Sequence, residues 1–266
     1  MADNEPPIDQ GESHQLSDVA GARHLLRQLE EVLVRSERQV AGETGSRLAP
    51  AWLRATEGEP RWQVSLGVAA ALSMQVSLPN DVVLRPRWLL PTVAGVLLIA
   101  LVVANPRRIN RRSPALRAGS MVLIAIISLA NVWSAGRLVL HLLRGTETGD
   151  ATRLLLTGGA LWLTNVLVFA LWYWEFDRGG PVSRAQATRS YPDFLFAQME
   201  SPELAPDDWE PAFVDYLYLS FTNAAAFSPT DVLPLSRWAK LTMLVQSAVS
   251  LLTVVLVVAR AVNTLR

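Results

Sequence analysis

Five stretches of this chain run for about 20 residues without Asp, Glu, Lys or Arg, the length a helix needs to cross a hydrocarbon core about 30 Å thick. They are Trp62 to Asn80, Trp88 to Asn105, Ala118 to Gly136 with an extension to Leu143, Leu154 to Trp174, and Leu241 to Ala259. The first is diluted by Gln63, Ser65, Ser73, Gln75 and Ser77; the other four are strongly apolar. Tryptophans at 62, 88, 172, 174 and 238 lie at the ends of these runs, where an amphipathic ring prefers the membrane interface. The spans expected are therefore 62–80, 88–105, 118–143, 154–174 and 238–262. Together they predict an all-α, polytopic integral membrane helical bundle over residues 62–266.

The composition agrees with that class: 50% of residues are hydrophobic and 18% charged, with formal net charge zero. A zero balance supplies no general field for nucleic acid, and what charge there is gathers in particular loops. There is no cysteine, which excludes disulfides, thiolate metal sites and cysteine nucleophiles. The start of the chain has no basic segment leading into an apolar run, so no cleavable signal is expected. Residues 1–15 are acidic and proline-bearing and read as a disordered tail. From Ser17, apolar residues recur at three and four (Val19, Ala22, Leu25, Leu26, Leu29, Val32, Leu33), which predicts an amphipathic helix over 16–41. Its polar face mixes both signs, favouring a protein partner through residues 17–41 over lipid headgroups. Residues 42–61 read as a linker.

Arginine sets the orientation. Arg107, Arg108, Arg111 and Arg112 crowd the short loop after the second span, and such loops stay cytoplasmic and face anionic lipid. The N-terminus is then cytoplasmic in a multi-pass protein of the cell membrane, with the lipid bilayer as its principal partner. Residues 175–210 fall on the same side and read as a loop or short broken helices. Glu175 and Asp177 are expected at a solvated helix end, with cation gathering at a pore mouth as the alternative.

Between Asp215 and Asp231 lie fifteen uncharged residues, YLYLSFTNAAAFSPT, only about 22 Å as a helix and interrupted by Pro229. Such a segment sits in the interface or forms a re-entrant half-helix, expected over 212–230. The run Asp215 to Thr222, followed by Asp231, Pro234, Ser236, Trp238, Ala239 and Lys240, resembles the pore helix and exit of two-span potassium channels. That likeness implies a pore loop carrying Ser220, Thr222, Asn223, Ser228, Pro229, Thr230, Asp231 and Pro234. Where that family has its filter glycines, this chain has Ala226, Phe227, Ser228, Pro229 and Thr230, so the backbone device that selects potassium is missing. Over residues 88 to the end, the Arg-rich loop, Asp177–Gly180, the Asp215–Phe221 run and Ser228–Val232 with Ser236–Arg237 are similar to a bacterial family of predicted membrane proteins of unknown function. That resemblance implies topology rather than activity, and a shared 215–240 segment.

Within the spans, Asn131, Arg137 and His141 could form a proton path or ion site, against the plainer reading of a snorkelling arginine beside an interfacial histidine. Asn165 and Gln246 read as interhelical hydrogen-bonding groups. No HExxH, GxSxG or phosphate-cradle motif is present, and the histidines are scattered, so neither enzyme chemistry, a metal nor a cofactor is expected. The functional expectation is a channel-like or transport-related protein whose degenerate, non-potassium-selective pore loop acts in a homo-oligomer. The alternative is a non-conducting scaffold or regulatory membrane protein whose N-terminal helix binds a partner.

Overall fold

A computed structural model describes residues 50–109, 113–145, 151–226 and 231–264. The tail, the amphipathic helix, residues 42–49 of the 42–61 segment, Arg111, Arg112, Ser228, Pro229 and Thr230 lie outside the described residues. Six main helices form the bundle: α1 (Arg61–Ser77), α2 (Leu89–Ala104), α3 (Pro114–Arg144), α4 (Ala151–Phe176), α5 (Phe213–Ala226) and α6 (Arg237–Thr264). Strand content among the described residues is slight: β1 (Phe194–Leu195) pairs antiparallel with β2 (Leu233–Pro234), Phe194 opposite Pro234.

Local chemistry sets the boundaries. Ser113 caps α3 by accepting from the Leu116 amide, Pro114 fills the first helical position, and Gly145 at φ +63° ends the helix. At the start of α6 the Ser236 hydroxyl accepts the Ala239 amide. Helices α3, α4 and α6 are long and apolar enough to cross a membrane. Helix α2 is apolar but has 16 residues and α1 has 17, about 24–26 Å each at helical rise.

The outer faces match a lipid solvent. Val96, Ile99, Val103, Leu129, Leu143, Leu156 and Leu244 are all exposed, a surface that would drive aggregation in water. Helix α4 is the central post, packing on α1, α3, α5 and α6, while α2 leans on α1 and α3. The fold is an all-α helical bundle of the membrane class with a half-helix, α5, set into it.

One end of the bundle collects the arginine-rich loop, residues 50–60 and the 177–212 segment. Ile109 donates its amide to the Glu59 carbonyl, and Arg61 donates its own to the Arg107 carbonyl. At the opposite end Arg153 meets the Asp81 carboxylate at 3.0 Å. Helix α5 starts at the arginine end, where Phe213 fills the space a side chain on Gly67 would need, 2.7 Å from an ideal Cβ. It stops beside the middle of α6, with Ser250 donating to the Ala224 carbonyl at 2.7 Å. By Leu233 the chain is back at the arginine end, paired with Leu195. The half-helix therefore enters and leaves on one side, the side of the arginine-rich loop.

Neighbouring glycines on α4 test the packing of α4 on α6. A Cβ on Gly158 would lie 2.7 Å from both Val257 methyls, whereas nothing lies within 4 Å of one on Gly159. Gly158→Ala is expected to lower stability by about 1–3 kcal/mol. Gly159→Ala is expected to raise it by about 0.5–1 kcal/mol through helix propensity. Thermal midpoints in detergent should move in opposite directions; equal shifts would contradict this interface.

Candidate functional site

The arginine end is built on a buried ionic knot. Asp177 has no exposed surface, and its Oδ1 accepts the amides of Asp193 (2.9 Å) and Phe194 (3.3 Å) while Oδ2 accepts the Tyr216 hydroxyl at 2.6 Å. One carboxylate thus joins the end of α4, β1 and the half-helix. Arg184, 4% exposed, donates through Nη2 to Glu59 Oε1 at 2.6 Å and through Nη1 to the carbonyls of Trp174 and Asp177. The other Glu59 oxygen accepts the Trp174 indole at 2.6 Å. Burial works against the charge of Arg184, but Tyr216, Glu59 and Asp177 outweigh it and hold the guanidinium above the ordinary arginine range. Arg178 sits at φ +52°, donates its amide to Asp193 at 2.9 Å and grips the Arg189 carbonyl with two guanidinium nitrogens. Asp193 in turn accepts the Trp238 indole at 2.8 Å, which brings in α6.

Glu175 and Asp177 are thus 2% and 0% exposed, not the solvated helix end expected from the sequence. Asp177 is held by Asp193, Phe194 and Tyr216, and Glu175 has Arg117 at 3.8 Å; these partners lie far along the chain, where a local reading cannot see them. Residues 50–60 likewise belong to the core of this end, with Ala51 and Glu59 buried. Thr56 donates to Glu210 at 2.9 Å, and burial lifts the Glu210 carboxyl above its usual range despite that bond.

Beside the knot lies a cavity of about 390 Å³, bounded by α1, α2, α3, the end of α4 and the 179–189 turn. Its wall is apolar: Val64, Val68, Leu98, Leu101, Leu123 and Ile124. Its rim carries Arg61, Arg117, Arg189 and Glu175, with hydroxyls from Ser65, Ser113, Ser120, Ser183 and Thr188. Arg117 Nε stands 3.8 Å from Glu175 Oε1. Glu175 Oε2 and Arg61 Nε are buried without a hydrogen-bond partner. Two glycines give the chain its path here. Gly180, at φ +97°, lies so close to the Glu175 carbonyl that an added Cβ would approach it to 2.8 Å, and Gly179 faces the Arg189 guanidinium. None of Arg61, Arg117 and Arg189 stood out in the sequence as binding residues, because each reads alone as an interfacial charge.

The pore-loop-like residues separate into two groups. Ser220 and Asn223 face inward: Ser220 donates to the Val166 carbonyl at 2.6 Å, and Asn223 donates to Gln246 Oε1 at 2.8 Å and to the Met243 carbonyl. Gln246 has no exposed surface, accepts the Tyr173 hydroxyl at 2.6 Å and donates to both oxygens of Ser220. Thr222 returns its hydroxyl to the Tyr218 and Leu219 carbonyls of its own helix. Asp231 is exposed and Pro234 lies in β2. The outward stripe of α5, Val214, Tyr218 and Phe221, is mainly apolar.

The other sequence candidates are dispersed. Asn131 accepts from Gln75 at 3.4 Å; Asn165 is buried with its amide nitrogen unpartnered, and the two asparagines line a shallow depression of about 290 Å³ with Ser128 and Thr242. Arg137 donates to the Asp81 carbonyl at 3.2 Å and His141 stands 3.9 Å from its carboxylate, both at the end opposite the cavity. Arg107 and Arg108 are exposed, Arg108 pairing with Glu57 at 3.2 Å. Among the described residues no three His, Asp or Glu side chains gather as a metal site would need. No family model, curated protein or solved structure matches the chain.

Removing one member of the Glu59–Arg184 pair should be costly, because the other charge stays buried alone. Arg184→Met is expected to lose about 3–5 kcal/mol, and adding Glu59→Gln should restore a large part of it. Thermal midpoints of the single and double variants measure the coupling; a double variant no more stable than Arg184→Met would show the pair to be independent.

Proposed function

We propose that this chain is a multi-pass protein of the cell membrane that does not conduct ions and instead holds one amphiphile in the cavity at its arginine end. It is then a binding protein and not an enzyme. The observation that carries this reading is the cavity itself: an apolar wall under a rim of three arginines, one buried carboxylate and several hydroxyls, the lining of an amphiphile site. Its volume, about 390 Å³, falls within the roughly 300–1,000 Å³ of small-molecule sites. The concentration of arginine at this end supports placing it, and Pro50, on the cytoplasmic side.

The pore reading keeps one support, the half-helix that enters and leaves on one side. Against it stand Ser220 and Asn223, whose hydrogen bonds go to α4 and α6, and the mainly apolar outer stripe of α5, a poor lining for a hydrated ion in a homo-oligomer.

Purified protein in liposomes should therefore pass neither cations nor anions above the level of empty vesicles, with Asp231→Ala unchanged; flux above that level would overturn the non-conducting reading. Mass spectrometry of the protein in detergent should find a retained amphiphile, mostly lost in Ser120→Trp, which fills the cavity. Retention unaffected by that substitution would place the ligand elsewhere. In this cysteine-free chain, Arg111→Cys should react with an impermeant thiol reagent only after cells are permeabilised. Labelling in intact cells would invert the orientation.

A further inference from the structure

An amphiphile site does not by itself say which headgroup it takes, but the polar groups around this cavity narrow the choice. Within the knot, Asp177 and both Glu59 oxygens are bonded, and Arg178 and Arg184 each hold several acceptors. The spare capacity is on two residues that line the cavity. Glu175 Oε2 is an acceptor without a donor, and Arg61 Nε a donor without an acceptor; both are buried and both residues line the same space. An unsatisfied buried polar group is costly, more so when charged, and the two here need opposite partners. Around them, Arg117 reaches Glu175 only at 3.8 Å and Arg189 stands over Gly179, so the positive groups outnumber the carboxylate.

We infer that the cavity takes a phospholipid whose headgroup carries a primary amine, the ethanolamine class, with the ammonium on Glu175 and the phosphate among Arg61, Arg117 and Arg189. This rests on the amphiphile reading above and deepens it. An anionic headgroup would satisfy the arginines but bring Glu175 Oε2 no cationic donor, since the hydroxyls of a glycerol headgroup offer only a neutral hydrogen bond. A choline headgroup has no N–H to give, and quaternary ammonium sites rely on aromatic cages. Among the described residues the one aromatic ring on this lining, Trp174, already has the Arg184 guanidinium over it, 5.8 Å from the centroid. The apolar wall between α1, α2 and α3 suits the first segments of acyl chain, which a soluble phosphoethanolamine would leave uncovered.

The test is lipid titration of the full-length protein, delipidated in detergent and followed by native mass spectrometry. The probes are phosphatidylethanolamine, phosphatidylcholine and phosphatidylglycerol with identical acyl chains, and soluble glycerophosphoethanolamine. Phosphatidylethanolamine should bind about tenfold or more tighter than the other two lipids, the scale of one charge-assisted hydrogen bond. Glu175→Gln should remove most of that preference while phosphatidylglycerol binding persists; because the lipid series is read first on the unaltered protein, a variant that fails to fold does not rescue the idea. Equal binding of ethanolamine and choline lipids, or a preference for phosphatidylglycerol, overturns the amine assignment and leaves the amphiphile reading standing. Glycerophosphoethanolamine binding as tightly as the lipid overturns a membrane source. Retention of no lipid at all sinks both.

Discussion

Asp177 is a fully buried carboxylate at the end of the central helix, and the arrangement of the arginine end depends on it. Taking an anion out of water costs several kcal/mol unless hydrogen bonds replace its hydration, and Asp177 obtains them from Asp193, Phe194 and Tyr216. Those donors belong to β1, the residue before it and α5, so the anion is stable only when both elements are docked. Arg184 supplies the opposite charge and passes the requirement to Glu59, which fixes the segment before α1. The knot is a set of conditions each element imposes on the next. Losing one partner exposes the rest to an uncompensated charge.

Deeper in the bundle the same half-helix is held by neutral groups. Tyr173, Gln246, Asn223 and Ser220 exchange hydrogen bonds in which both Gln246 atoms are occupied. The change in chemistry with depth follows from the solvent. Ionised groups are tolerated at the interface, where headgroups and water lie within reach, whereas at mid-depth neutral amides and hydroxyls bridge helices at lower cost. Helix α5 is too short to span and cannot satisfy its inner end alone; Ser247 and Ser250, donating to the Asn223 and Ala224 carbonyls, supply what a continuing helix would have.

The helices were legible in the sequence because a bilayer imposes a one-dimensional rule, about 20 uncharged residues per crossing. The half-helix was legible for the converse reason, an uncharged run too short and broken by Pro229. The site was not. Glu59 and Arg184 are 125 positions apart, and Asp177 and Tyr216 are 39 apart, so no local window contains either contact. Read locally, Glu175 and Asp177 looked like a solvated end after a hydrophobic run. The signal that could have been used was the pairing of Gly179 and Gly180 just after Glu175, Asp177 and Arg178: a tight turn folds the chain back over its own helix terminus, where carboxylates are shielded from water. Arg61 and Arg117 carried no such signal, since a lone arginine beside a span is equally suited to headgroup contact.

Saturation separates the polar groups of this end by role. Glu59, Asp177, Arg178 and Arg184 have their bonding capacity filled from within the chain, so they stabilise the fold and have little left for a ligand. Glu175 lies two residues from Asp177 on the same turn, equally buried, yet one of its oxygens is unfilled, and the residue borders a space walled by Leu98, Leu101 and Leu123. An apolar side chain at position 175 would give up only the 3.8 Å contact with Arg117 and would spare the fold the desolvation of a carboxylate. The buried carboxylate is explained if the space beside it is normally occupied by a group that donates to it, and the arginines that share the rim set the sign of what must accompany that donor.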